Sequence, residues 1–299
     1  MITPPSQEEI KNIFPHFNEI TFLNAGGFKA VYKVILENKT EAFKIIHIPE
    51  IGAAELKEEF KKESISRIER EIKILNSCSA PEIVKLGSMQ PVNITIKDTE
   101  YVAYTEEFLE GSDLRRLIEE KFYPSEKELK ELILSLLRAI KEIWSLGYIH
   151  RDIKPGNIIR LYEKDRKFVL LDLGIAFSVL ETPLTVDAQH RFPPGTFKYI
   201  APEMLQPDFR ESIDFRSDIY AIGVTAYEYA TNQHPLAQDK EDLITTLSRI
   251  VRFAPKSILE YRKDLSPALA QVINQMLKKI PALRPSNLNK LINTLEGEL

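Results

Sequence analysis

The apolar positions change period along the chain, and each change marks an element. Residues 1–18 are polar, hold Pro4, Pro5 and Pro15, and read as a leader that is helical around Gln7 to Phe14. Glu19 to Leu23 is the first strand signal, and Glu41-Ala42-Phe43-Lys44-Ile45-Ile46 alternates with the period of a half-buried strand. Between them, Asn24-Ala25-Gly26-Gly27-Phe28-Lys29-Ala30-Val31-Tyr32-Lys33 sets two glycines between β-rich runs, a hairpin signal. Leu56, Phe60, Ile68, Ile72 and Leu75 then recur at near-helical spacing within Pro49–Ser77. Ile83-Val84-Lys85-Leu86 and Glu100–Phe108 read as further strands, joined by a polar, Pro-containing connection over Gln90–Thr99.

Ser125–Leu146 is a helix. Leu129, Ile133, Leu136, Leu137, Ile140 and Trp144 form its apolar stripe, Ser125 with Glu128 predicts a capping box, and Gly147 is the stop. Ile158-Ile159 and Phe168-Val169-Leu170-Leu171 form a hairpin that brings Asn157 and Asp172 to adjacent strand ends. Gly174–Pro194 is loop-like and too long for a simple connector. Ser217-Asp218-Ile219-Tyr220-Ala221-Ile222-Gly223-Val224 opens a very apolar helix, as expected of a central one.

Composition narrows the function classes. The 299 residues are 28% charged and 43% hydrophobic, an ordinary globular balance. A net charge of −4 argues against a nucleic-acid partner, whose footprint is a basic excess. The single cysteine, Cys78, rules out an internal disulfide and fits a reducing compartment, so a cytoplasmic location is expected. There is no basic-then-apolar signal pattern and no uninterrupted apolar run of about 18 residues, so no membrane partner is expected.

The candidate chemistry lies in His150-Arg151-Asp152-Ile153-Lys154-Pro155-Gly156-Asn157, with Asp172 following the hairpin in Leu171-Asp172-Leu173-Gly174. Phosphoryl transfer needs an acid to take or orient the proton of an attacking hydroxyl, a cation for the transferring phosphate, and oxygen ligands for magnesium. Asp152, Lys154 and the pair Asn157 and Asp172 are those residue types in order. An isolated His-Arg-Asp would read better as a turn, because Asp is a common turn former. Glu71 lies three residues after Ile68 and four before Leu75, on their apolar stripe, where a carboxylate needs a partner. Lys44 is the candidate partner, and Glu69 is the alternative acid.

These eight residues resemble the catalytic loop of the protein kinase family, and the resemblance covers roughly residues 19–296. It implies an α+β, bilobal protein-kinase fold. A small, mostly antiparallel β N-lobe with one key helix would span residues 19–107, and a larger, mostly α C-lobe residues 108–299. The Asn24–Lys33 hairpin resembles the family's Gly-rich loop, with Asn24 and Lys29 standing where it has glycines. Backbone N–H groups of Gly26, Gly27 and Phe28 would donate to ATP phosphates, and Val31 and Ala42 would meet the adenine. Lys44 would hold the α- and β-phosphates and pair with Glu71. Glu107 and Leu109 belong to the segment resembling the hinge that hydrogen-bonds adenine, and Ile159 would also line the ATP site. In that register Glu106 lines the back of the adenine pocket; a one-residue slip puts Thr105 there. Asp113 suits either a ribose hydroxyl or a helix N-terminus.

Gly195-Thr196-Phe197-Lys198-Tyr199-Ile200-Ala201-Pro202-Glu203 resembles the family's G-T-x-x-Y-x-A-P-E, which kinases of small molecules generally lack. Thr196 would touch Asp152 and Lys154, and Lys154 matches the serine/threonine form of the loop. Arg284 would pair with Glu203, and Asp218 would support the catalytic-loop backbone. His150 reads as packing and hydrogen bonding rather than as a base. Ser178, Thr182 and Thr185 are candidate phosphosites, with Arg151 as the cation that would pair the phosphate. The implied activity is transfer of the ATP γ-phosphate, with Mg2+, to Ser or Thr hydroxyls of a protein substrate, and self-phosphorylation would take a transient homodimer. The rival from another class is a pseudokinase scaffold that binds nucleotide or a partner without turnover, supported by Asn24, Lys29 and Glu106.

Overall fold

Two tight turns set the register of the first sheet. Glu37 and Asn38 have φ of 49° and 65°, and Lys97 and Asp98 have 47° and 64°. Paired left-handed residues are the mark of a two-residue hairpin loop whose twist matches its strands. The computed structural model describes residues 3–26, 28–48, 54–163, 165–173, 177–178, 196–206, 213–238 and 240–297. The chain divides into two units, residues 1–78 with 84–109 and residues 79–83 with 110–299.

The first unit is a five-stranded antiparallel sheet with a helix against each face. Its strands are β1 (Ile20–Ala25), β2 (Lys29–Leu36), β3 (Lys39–His47), β4 (Val92–Ile96) and β5 (Thr99–Glu107), in the order β1-β2-β3-β5-β4. Helix α1 (Gln7–Ile13) starts in a complete Ser6–Glu9 capping box. It buries Ile10, with Phe14 and Phe17 just after it, among Tyr32, Phe43 and Ile45. Phe14 and Phe17 stack at 5.1 Å and both meet the Phe43 ring edge-on. The Tyr32 hydroxyl donates to the Pro5 carbonyl, tying the leader to the sheet. Helix α2 (Ala54–Ser77) covers the opposite face through Ile65, Ile68 and Ile72, against Ile46, Val102 and Tyr104. Strict alternation in β3 sends Phe43 and Ile45 to the leader side and Lys44 and Ile46 to the α2 side.

Two strand expectations need correction here. Gln90–Thr99 is not a plain connection, because Val92–Ile96 is strand β4. It is a five-residue edge strand, in which Val92, Ile94 and Ile96 alternate with the exposed Asn93 and Thr95, too short a run to stand out from the polar residues around it. Ile83–Leu86 is not a strand: Ile83 forms one isolated bridge with Leu170 and Leu86 another with Glu106.

The second unit is mostly helical. It contains α3 (Leu114–Glu119), α4 (Glu126–Ser145), α5 (Arg216–Thr231), α6 (Leu243–Arg252), α7 (Pro267–Met276) and α8 (Leu288–Gly297). A three-stranded sheet of β6 (Gly111–Asp113), β8 (Ile158–Leu161) and β9 (Phe168–Leu170) packs on α4. The short pair β7 (Tyr148–Ile149) and β10 (Phe177–Ser178) gives two residues of the loop-like Gly174–Pro194 region a place against the chain leaving α4. Helix α5 is buried nearly all round, from Ser217 to Tyr229, and touches α4 and α7. Its approach to α7 depends on Gly223, where a Cβ would come within 2.8 Å of Met276 Cβ. The capping box expected at α4 is half realised. Ser125 accepts the Glu128 N–H at 3.2 Å, but the Glu128 carboxylate turns away to Arg160 and to the Tyr229 hydroxyl. Among the described residues no helix is long and apolar enough to cross a membrane. The architecture is the expected α+β one.

Candidate active site

Helix α4 ends at Ser145, and the eight-residue loop that follows β7 is shaped by one buried acid. Asp218, 1% exposed near the start of α5, accepts the His150 N–H on Oδ2 and the Arg151 N–H on Oδ1, both at 2.9 Å. Burial raises the Asp218 carboxyl above its ordinary value, and these two N–H groups oppose the rise. The two bonds hold Arg151 at φ 69°, a left-handed conformation that a side chain adopts only when its surroundings over-determine it.

His150 is fully buried and bridges the loop to the hairpin. Its Nε2 lies 3.2 Å from the Leu171 carbonyl, which only accepts, and its Nδ1 lies 3.2 Å from the Asp152 N–H, which only donates. The proton is therefore on Nε2 and the ring is a neutral strut, not a base. Asp152 stands in the middle of the cluster. Its Oδ2 accepts Lys154 Nζ at 2.7 Å and Asn157 Nδ2 at 2.9 Å. Its Oδ1 is buried and has no hydrogen-bond partner among the described residues.

Asn157 spends its amide N–H groups on Asp152, on the carbonyl as well as Oδ2, both at 2.9 Å. Its side-chain oxygen is the group left for a cation. Leu171 N–H donates to the Asn157 carbonyl at 2.8 Å, continuing the β8–β9 ladder that pairs Ile158 with Leu170. Asp172 comes next, at φ 59°, so the two expected oxygen ligands sit at the open end of one hairpin. No cluster of three or more His, Cys, Asp or Glu occurs among the described residues. The set fits magnesium, which takes one or two protein oxygens and completes its shell with phosphate and water.

In the first unit Lys44 is 3% exposed and lies between two carboxylates. Glu71 Oε1 is 3.5 Å away and Glu106 Oε1 is 2.5 Å away. Glu71, not the exposed Glu69, is the acid on the Lys44 face. The β3–β5 register pairs Ala42 with Glu106 and puts Glu106 on the Lys44 face. Thr105 faces the other way and accepts the Met89 N–H on its hydroxyl. Val31 sits opposite Lys44 across the β2–β3 ladder.

One of the expected phosphate donors is already engaged. The Gly26 N–H donates to the Lys29 carbonyl at 2.7 Å, closing the hairpin. Phe28 is exposed and lies parallel to the His47 ring. The Glu107 N–H is likewise given to Lys85, and Leu109 is half-buried. Asp113 is the N-cap of α3, accepting the Arg116 N–H at 3.0 Å, with Ile159 opposite it in the β6–β8 ladder. Gly27, Thr182 and Thr185 lie outside the described residues. Ser178 is described only as backbone, paired with Tyr148, and Thr196 only as the start of a 3-10 turn that runs to Tyr199.

Downstream, Arg284 makes a bidentate pair with Glu203 at 2.6 and 2.8 Å. A second anchor escaped the sequence reading. His234 Nε2–H donates to the Lys198 carbonyl at 3.0 Å, and Nδ1 accepts the N–H groups of Leu236 and Ala237 at 3.1 and 2.7 Å. The ring packs edge-on against Tyr199, whose hydroxyl donates to Glu228 at 2.6 Å. Nothing local in Thr231-Asn232-Gln233-His234-Pro235 marks the histidine.

Burial, with Lys198 and Lys279 nearby, pushes His234 from its ordinary 6.5 down to about 3. A depressed histidine favours folding in its neutral form. Its contribution is complete above about 6.5 and is lost as pH falls toward the folded value. The stability gap between wild type and His234→Gln is therefore expected to shrink between about pH 7 and pH 4 in thermal melts. A gap that stays constant would show that His234 does not titrate there.

The model of the protein kinase domain family matches residues 17–294 of this chain. A serine/threonine-protein kinase of Myxococcus xanthus is 28% identical, with 96% of this chain and 51% of the relative aligned. A probable serine/threonine-protein kinase of Clostridium acetobutylicum is 27% identical over 92% of this chain and 38% of the relative. A dual specificity mitogen-activated protein kinase kinase of Caenorhabditis elegans is 32% identical over 58% of this chain and 46% of the relative. The chain spans about half the length of these relatives or less. With its catalytic-loop cluster and the family match running almost end to end, the chain belongs to the protein kinase family.

Proposed function

We propose that the protein is an active serine/threonine kinase that transfers the ATP γ-phosphate to Ser or Thr hydroxyls of a protein. The observation that carries this reading is the Asp152 carboxylate. One oxygen is clamped by Lys154 and Asn157, and the other is buried without a partner among the described residues. A buried unpaired carboxylate oxygen is costly. An incoming substrate hydroxyl would remove that cost and be oriented in the same contact.

In this reading Asp152 accepts the hydroxyl proton, and Lys154, whose ammonium already touches Asp152, offsets charge on the transferring group. Lys44 holds the α- and β-phosphates, with Glu71 as its acid. The Asn157 side-chain oxygen and Asp172 hold magnesium, which when bound offsets phosphate charge. Glu107, Leu109, Val31, Ala42 and Ile159 line the nucleotide, and Thr196 supports the acceptor. Phosphate on Ser178, Thr182 or Thr185 would pair with Arg151 and order the segment between Asp172 and Thr196. Lys154 and the names of the bacterial relatives support serine/threonine specificity, magnesium dependence follows the family, and a cytoplasmic setting rests on the single cysteine.

The test is intact mass and phosphosite mapping after incubation with Mg-ATP, alone and with a generic protein acceptor. Phosphoserine or phosphothreonine on either is the expected result, with the self-modified sites between Ser178 and Thr185. ATP binding without any transfer would favour the scaffold reading, and phosphotyrosine alone would overturn the specificity.

A further inference from the structure

The acid at position 106 gives Lys44 a second, closer carboxylate than Glu71. All three groups are at least nine-tenths buried: Lys44 is 3% exposed, Glu71 5% and Glu106 2%. Lys44 is therefore held by two buried acids that belong to different elements, Glu71 on α2 and Glu106 on β5.

The two acids differ in how they are attached. Lys44 faces Tyr104 and Ala42 faces Glu106 across the β3–β5 ladder, so Lys44 and Glu106 are diagonal neighbours on one sheet face. Backbone hydrogen bonds fix their separation. Glu71 reaches Lys44 from α2, which is held to the sheet by side-chain packing of Ile65, Ile68 and Ile72. Packed helices slide by an ångström or two in ordinary conformational change, whereas the register of a ladder does not. The distance to Glu71 therefore depends on where α2 sits, and the distance to Glu106 does not.

We propose that Glu106 is a positioning residue for Lys44, holding the ammonium from within the sheet so that its placement no longer depends on Glu71 and α2 alone. This rests on the reading of Lys44 as the lysine that binds the ATP phosphates. Glu106 does not touch the reacting atoms. It acts through Lys44, and its neutralisation should sensitise the chain to loss of Glu71.

The experiment is a double-mutant cycle on the whole chain with Glu71→Gln, Glu106→Gln and the double variant. It reads kcat and KM for ATP together with the dissociation constant for Mg-ATP. Glu71→Gln is expected to lower kcat/KM for ATP about 10-fold with Glu106 present and about 1000-fold in the Glu106→Gln background, as in a network whose members couple. Glu106→Asp should restore most of the loss. Equal effects of Glu71→Gln in both backgrounds would overturn the proposal. So would a Glu106→Gln variant with higher turnover and tighter ATP binding, since Glu106 would then be withholding Lys44. If wild type binds Mg-ATP but transfers nothing, the kinase reading fails while the same coupling, read in the dissociation constants, still decides for or against Glu106. If the double variant does not melt cooperatively, the single variants decide through the rate at which an amine-reactive ester labels Lys44. Glu106→Gln should raise that rate several-fold more than Glu71→Gln, and the reverse order would overturn the proposal.

Discussion

Asp152→Asn is expected to lower phosphoryl transfer by about 10^3-fold while leaving Mg-ATP affinity within about threefold, in the range of a lost general base. The substitution keeps the shape and one carbonyl oxygen, so Lys154 and Asn157 retain an acceptor at the place of Oδ2. What changes is Oδ1. A buried oxygen with no partner among the described residues becomes an amide that donates, and an amide neither accepts nor orients the proton of an attacking hydroxyl. Lys44, which the proposal assigns to the phosphates, is not altered. Single-turnover transfer to a protein acceptor, alongside equilibrium binding of Mg-ATP, separates the two effects. A fall of less than about tenfold in transfer would remove Asp152 from the proton path. A parallel loss of nucleotide affinity would mean that the substitution disturbs the loop instead.

The catalytic loop was legible because its chemistry is local. His150 to Asn157 are contiguous, and their mutual bonds span five residues or fewer. The strut role of His150 followed from its apolar setting, and its two ring contacts agree with it. Glu71 was legible from its place on a helical stripe, and Asp218 from an acid at the head of an apolar helix. What the sequence hid was tertiary. Glu106 and Thr105 are adjacent and both polar, and only the β3–β5 register decides which of them faces Lys44. His234 stands 36 residues from the Lys198 carbonyl it holds, with no periodicity to announce it. The half-made capping box at Ser125 fails for the same reason: Glu128 is drawn to Arg160 and Tyr229, which are far away in sequence. Strand β4 was missed because an edge strand needs one apolar face only, and its polar positions read as a loop. The leader shows the converse. Ile10 lies before the first residue of the family match, yet it is part of the sheet's aromatic core.

Removing Arg284 should cost the fold about 3–5 kcal/mol, as when a buried charge loses its partner. The side chain is fully buried and every arm is used. Nε donates to the Lys278 carbonyl, Nη1 to Glu203 and the Arg216 carbonyl, and Nη2 to Glu203 and the Lys279 carbonyl. Arg284→Ala would therefore remove the shared donor of one carboxylate and three carbonyls at once. Glu203 would keep only the Ser217 hydroxyl, at 2.6 Å. Glu203→Ala should cost less, because the guanidinium retains its three carbonyl acceptors and stacks on the Tyr220 ring at 4.9 Å. The two losses should fall well short of additive in the double variant, since the second change removes the group that the first left unpaired. Denaturant unfolding of the three variants measures this directly. If Arg284→Ala costs less than about 1 kcal/mol, the pair is no more than a surface bridge in energy. If Glu203→Ala costs more than Arg284→Ala, the carboxylate, through Ser217, is the anchor and the arginine only its neighbour.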